Sequence, residues 1–231
     1  FKCPPGKFIC IDLNKFLFNK TYECFDDIFL NDGALIDEYW SSFNLLDQSK
    51  EEIKDFDQSS LKLEKIISKS VKNQLISDMP IGAFLSGGID SSLITALMQK
   101  ESMEKVKTFT IGFEDKRYDE SKYASEVANH LGTNHTELIL SQDDVINIIP
   151  DLSKIYNEPF ADSSQIPTLL VSKLAKSEVS VALSGDGGDE LFGGYNRYFL
   201  APTVWSILKR FPYSLRSFGA DIFLSSPNFL E

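Results

Sequence analysis

Ile81-Gly82-Ala83-Phe84-Leu85-Ser86-Gly87-Gly88-Ile89-Asp90-Ser91-Ser92 is an apolar run that breaks into two glycines, an acid and hydroxyls. Ile81 to Leu85 read as the end of a buried strand, and Ile89, Leu93, Ile94 and Leu97 then recur at helical spacing. Between them lies a strand-to-helix turn, where free backbone N–H groups and the positive end of the helix attract phosphate. Gly87 and Gly88 let the backbone approach a ligand with no Cβ in the way. No Gly-Lys-Ser/Thr follows, so this is not a Walker A loop. Instead an acid, Asp90, stands where a pyrophosphate would lie. A carboxylate beside phosphates makes sense with Mg2+ between them, as in an enzyme that cuts ATP between its α and β phosphates.

Val179-Ser180-Val181-Ala182-Leu183 is a second short, β-branched-rich strand. It empties into Ser184-Gly185-Asp186-Gly187-Gly188-Asp189-Glu190-Leu191-Phe192-Gly193-Gly194-Tyr195, which holds three carboxylates and five glycines. Acids this close repel one another, so a plain turn would not gather them. Carboxylates at the end of a parallel strand face the crevice where ligands bind.

Ser86 to Ser91 resembles the PP-loop of the N-type ATP pyrophosphatases. Ser184 to Tyr195 is similar to the second signature of the asparagine synthetase family, Ser-Gly-Glu/Asp-Gly-x-Asp-Glu followed by Gly-Gly-Tyr. The resemblance covers most of Leu61 to Tyr198 and implies the synthetase domain of a glutamine-hydrolysing asparagine synthetase. On that resemblance Ser86, Gly87, Gly88, Asp90 and Ser91 hold the pyrophosphate moiety, and Leu85, Ile111, Ser184 and Gly185 match adenosine-contacting positions. Asp90 and Asp189 would ligate Mg2+ from opposite sides, and Asp186 would take a proton as ammonia attacks. The implied reaction adenylates a carboxylate, with L-aspartate as first choice, releases pyrophosphate, and forms an amide and AMP when ammonia attacks. The alternatives kept open are an amidotransferase acting on another carboxylate, such as a sugar acid of cell-envelope polysaccharide, and an ATP-binding module without turnover. Aspartate-dedicated members carry an Arg near the equivalent of Ser163, whereas no Arg or Lys occurs between Lys154 and Lys173 here.

The chain has 231 residues and a formal net charge of −11, which argues against nucleic acid as a partner. No apolar run approaches the length of a membrane span. Cys3, Cys10 and Cys24 lack the spacing of a zinc site, and free thiols fit a reducing, cytoplasmic setting. His135 begins a strand and reads as structural rather than as a catalytic base.

Phe1 to Cys24 alternates apolar and polar residues around Pro4-Pro5-Gly6 and reads as a β-ribbon. Residues 1–40 are expected to be the tail of an N-terminal glutaminase domain. On that reading the glutaminase nucleophile lies outside this chain, and ammonia comes from that domain. Residues 41–59 read as an acidic linker and 60–200 as the synthetase core. Residues 201–231 read as the start of a more basic helical part containing Trp205, Lys209, Arg210 and Arg216, with Arg197 at its edge. Within the core, Leu61 to Ile76 predict an amphipathic helix, Val106 to Phe113 a strand, and Tyr118 to Gly132 a helix capped by Asp119. Thr136 to Leu140 follow as a strand and Asp144 to Ile149 as a helical stretch. Asn157-Glu158-Pro159-Phe160-Ala161-Asp162-Ser163-Ser164 reads either as a substrate-recognition segment or as a capping turn. The alternation predicts an α/β fold with an open, mostly parallel sheet and helices on both faces. Homodimerisation is left open.

Overall fold

The computed structural model describes residues 3–16, 27, 33–41, 43–44, 55–117, 119–156 and 162–224. The chain divides at Leu61/Lys62 into two compact units. In the first, β1 (Lys7–Ile11) pairs antiparallel with β2 (Ala34–Glu38), in a register that sets Ile9 opposite Ile36. Gly6, at φ +70°, packs its Cα against the Trp40 carbonyl, whose residue also donates its N–H to the Gly6 carbonyl at 3.2 Å. The expected ribbon is thus present in its first strand, while residues 17–26 lie outside the described residues.

Helix α1 (Phe56–Gln74) begins five residues before the expected Leu61. The reason is local: the Asp55 carboxylate accepts from the N–H groups of Asp57 (2.9 Å) and Gln58 (3.2 Å). Those bonds satisfy donors that a helix start otherwise leaves open, so residues read as linker are drawn into the helix.

The second unit is built on a sheet of order β5-β4-β3-β6, with every pairing parallel. Its strands are β3 (Ile81–Phe84), β4 (Lys107–Phe113), β5 (Asn134–Leu140) and β6 (Val181–Leu183). Helix α2 (Ile89–Glu101) connects β3 to β4, and α3 (Ser121–Leu131) connects β4 to β5. Gly132 at φ +71° ends α3, as the sequence predicted. From β5 the chain returns through α4 (Gln142–Ile148), a single 3-10 turn (Ile149–Asp151), α5 (Leu152–Ile155) and α6 (Gln165–Lys176) to β6. A capping box between Ser141 and Asp144 starts α4.

Strand alternation sends side chains to two faces, and each face is covered. Ala83 packs with Val71, Leu97, Met98 and Val106, under α1 and α2. On the other face Phe109 packs with Val171, Ala175 and Val179, under α6. This is the expected α/β architecture. The order matters for function: β3 leads to β4 and β5 on one side, then the chain crosses to β6 on the other. The crevice between β3 and β6 is therefore the topological switch point of the sheet, where open α/β folds bind their ligands.

Among the described residues three helices follow β6: α7 (Gly188–Phe192), α8 (Asn196–Leu208) and α9 (Tyr213–Leu224). Among the described residues no helix is long and apolar enough to cross a membrane.

Candidate functional site

Both sequence motifs leave the sheet at that switch point, from adjacent strands. Leu85 continues the ladder, donating its N–H to the Phe109 carbonyl at 3.0 Å. Its side chain is buried against Ala124 and Ala128, so only its backbone is left to face a ligand. The chain then turns through Ser86, Gly87 and Gly88 into α2.

Ser91 ties this turn together. Its hydroxyl oxygen accepts the Ser86 N–H at 3.2 Å and lies 2.9 Å from the Ser86 hydroxyl. It also donates to the Gly88 carbonyl at 3.3 Å, while the Gly88 N–H reaches the Ser86 oxygen at 3.3 Å. No side chain caps α2. The first-turn N–H groups, which a helix cannot satisfy internally, are therefore left for an external acceptor. Gly87 is required for two reasons. It sits at φ +82°, and a Cβ there would stand 2.7 Å from the backbone of Tyr123 and Ala124 on α3.

The second turn is held more loosely. Ser184 donates its hydroxyl to Asp186 at 3.1 Å. Gly187 (φ +90°) and Gly193 (φ +70°) bracket α7, a short helix inside the second motif. Tyr195 donates its hydroxyl to Glu190 at 2.7 Å. That bond holds the Glu190 carboxyl below its usual range and raises the Tyr195 phenol above its own. The Cα of Gly194 is pressed against the Asp189 carboxylate, leaving no room for a Cβ.

The two turns meet. A Cβ on Gly185 would lie 2.6 Å from the Ser91 nitrogen and 2.7 Å from the Asp90 carbonyl carbon. A Cβ on Gly188 would collide with the Asp90 carboxylate. Asp90 therefore reaches across to the residue just before Asp189. No group of three or more His, Cys, Asp or Glu gathers as a metal cage among the described residues.

Sequence reasoning missed several contributors. Gly188 was seen as composition, not as the surface under the Asp90 carboxylate. Asp119 was expected to cap α3; Glu120 holds the cap position with no side-chain cap, and Asp119 instead fastens the helix to β4. Its carboxylate accepts from Ser121 N–H (3.1 Å) and Phe113 N–H (3.4 Å), and only a glycine at 112 leaves it room. The Ser121 hydroxyl, followed by these backbone donors, holds the Asp119 carboxyl below its usual range. Ile111 lies on β4, partly buried beside the Phe109 cluster and not in the turns themselves.

His135 is the second residue of β5 and pairs with Thr108, at the amino edge of the sheet. Its Nδ1 is 2.9 Å from the Thr108 hydroxyl, which is also 3.0 Å from that of Thr133. Burial pushes its pKa down, against a smaller opposing effect of Glu137. It takes no part in the two turns. Of the proposed recognition segment, Asn157–Ala161 lies outside the described residues; Asp162 accepts from the Ser164 N–H (2.8 Å) and hydroxyl (2.6 Å) in a closed turn.

Comparison with known proteins gives the chain's family. The family model "Asparagine synthase" matches residues 62–228. The chain is 41% identical over 160 residues to a putative glutamine-hydrolysing asparagine synthetase 2 of Methanocaldococcus jannaschii, covering 69% of this chain and 31% of that protein. It is 42% identical over 150 residues to asparagine synthetase 1 of Bacillus subtilis, covering 65% and 23%. With asparagine synthetase B of Escherichia coli the identity is 32% over 191 residues, covering 75% and 33%. The chain thus spans about a quarter to a third of the length of these relatives. Among solved structures, an NH3-dependent NAD synthetase from Campylobacter jejuni overlaps 59% of this chain and 60% of its own, with TM-score 0.42 and 17% identity.

Proposed function

This chain belongs to the asparagine synthase family, and from that premise we propose that it is the ATP-handling part of an amide-forming ligase. In this reading a carboxylate attacks the α-phosphorus of ATP, pyrophosphate leaves, and ammonia attacks the acyl-adenylate to give an amide and AMP. The observation that carries it is the Asp90 carboxylate packed on the Cα of Gly188, which joins the two motifs at the switch point of the sheet.

The residues fit ATP. The uncapped start of α2 leaves N–H groups for a departing pyrophosphate, and the hydroxyls of Ser86 and Ser91 fix the turn that presents them. A Cβ on Gly88 would meet only the Ser86 hydroxyl, and one on Gly187 nothing within 4 Å, so the space over both turns is open. The residues also fit Mg2+. Asp90 and Asp189 would supply two hard carboxylates from facing turns and leave the remaining positions to phosphates and water. Bound there, the ion would neutralise charge building on the leaving group.

Adenosine would lie along Leu85, Ile111, Ser184 and Gly185. Leu85 can contribute only its backbone, and Gly185 gives close approach where a side chain would strike Ser91. Asp186 would accept a proton from the attacking ammonia, with its carboxylate oriented by the Ser184 hydroxyl at 3.1 Å. L-aspartate is the first acceptor to test and a sugar acid the second. Ammonia would come from glutamine through a glutaminase domain, as the names of the relatives suggest.

The test is pyrophosphate release by the full-length protein with Mg-ATP and ammonium, with and without L-aspartate. Aspartate-dependent release yielding asparagine and AMP is the expected result. Release stimulated only by another carboxylate moves the assignment to that acceptor, and no binding of Mg-ATP overturns the reading.

A further inference from the structure

The second turn concentrates Asp186, Asp189 and Glu190, and an acceptor bearing its own negative charge must approach Asp186 against them. Between Ser184 and Leu200 the sequence holds a single cation, Arg197. Sequence reasoning set it at the edge of the basic tail. It follows Tyr195, the last residue of that turn, by two positions and leans back on it. Its guanidinium lies 4.3 Å from the centre of the Tyr195 ring and 5.9 Å from that of Tyr198. The two rings are themselves 5.9 Å apart, so the guanidinium rests on a paired aromatic support. Tyr195 is anchored in turn through its hydroxyl to Glu190, and it feels the charge of Asp189. Among the described residues no acceptor is hydrogen-bonded to the guanidinium. A guanidinium held over aromatic faces still has its N–H donors to offer, and its fork can grip a carboxylate by two parallel bonds.

We propose that Arg197 is a specificity-determining residue, which holds the non-reacting carboxylate of a dicarboxylate acceptor while its other carboxylate is adenylated. The proposal rests on the ligase reading above. ATP is the other anion that could claim this arginine. The start of α2 already provides donors for its phosphates, whereas the second turn offers an acceptor no other positive charge. The Glu190–Tyr195 bond serves the same end: it occupies one oxygen of the nearest carboxylate and so limits its competition for the guanidinium.

The experiment measures binding by calorimetry to the full-length protein in Mg2+, first of a non-hydrolysable ATP analogue, then of L-aspartate, with acetate as the monocarboxylate control. In Arg197→Gln, the Kd for L-aspartate is expected to rise at least tenfold, with the Kd for the nucleotide analogue unchanged within twofold. Arg197→Lys, which keeps the charge but not the fork, is expected to recover part of the loss, and acetate to respond to neither substitution. Thermal melts establish that both variants are folded. An analogue that does not bind the wild-type protein overturns the ligase reading, and this inference with it. An analogue that binds while L-aspartate does not, or an aspartate affinity indifferent to Arg197→Gln, overturns this inference alone. A loss confined to the nucleotide would reassign Arg197 to the phosphates and overturn it as well.

Discussion

The two edges of the sheet carry polar residues to opposite ends. At the amino edge, Thr108, Thr133 and His135 bond to one another. Lys107 pairs with Glu178 at 3.2 Å, and the other Glu178 carboxylate oxygen accepts from Thr136 at 3.1 Å. Apart from His135 Nε2, which is buried without a hydrogen-bond partner, these groups satisfy each other, and what they provide is register between strands. At the carboxyl edge, the start of α2 is uncapped, glycines hold the turns against each other, and Asp90 faces Gly188. Few of those groups are satisfied internally. The same sheet thus closes its polar groups at one end and keeps them available at the other, as expected of a fold that binds ligand beyond the carboxyl ends of its strands.

Gly185→Ala should break the carboxyl edge most severely. The added methyl meets the backbone of Asp90 and Ser91, which cannot swing aside as a side chain can. Pyrophosphate release should fall at least a hundredfold, while the overpacking costs about 1–3 kcal/mol of stability in a urea melt. Gly188→Ala sharpens the comparison, because the nearest atoms to its methyl belong to the Asp90 carboxylate, a side chain that can move. It should leave the melt unchanged and raise the Mg2+ needed for half-maximal activity by about tenfold.

The amino edge should respond the other way. Thr108→Val leaves the half-buried partners of that hydroxyl without it, for a loss of about 1 kcal/mol. Pyrophosphate release per folded molecule should not change. A variant that kept its stability and lost activity would dissolve the distinction between the edges.

The smallest effect is the pH dependence of His135. Burial lowers its folded pKa, so below an unfolded value of about 6.5 the unfolded chain binds the proton more readily. Stability should therefore fall as pH drops from that value through the lower folded one. His135→Gln should flatten this part of a melt-versus-pH curve.

These edges were not equally legible in the sequence. The turn at Ser86–Ser91 could be read because its chemistry is local: glycines, a hydroxyl and an acid between a strand and a helix. The parallel alternation and Gly132 as a helix stop were local in the same sense. Contact between Asp90 and Gly188 is not local, since it depends on β3 and β6 lying side by side although far apart in the chain. Only the family resemblance, which set Asp90 and Asp189 about one Mg2+, implied that the turns meet. The amino-edge network depends likewise on the register that sets Thr108 opposite His135. Asp55 shows the other kind of miss. An acidic stretch looks like a linker until one of its carboxylates is found capping a helix. Arg197 belongs to this class too: it was grouped with the basic tail, yet it stands over the ring of Tyr195, two residues before it.

The most direct test of the account is hydrogen–deuterium exchange of the full-length protein with and without Mg-ATP. Joint protection of residues 85–92 and 184–195, with 106–108 and 133–136 unchanged, is the predicted result. Protection of the first segment alone, or of the amino edge instead, would contradict the claim that the two turns form one nucleotide site.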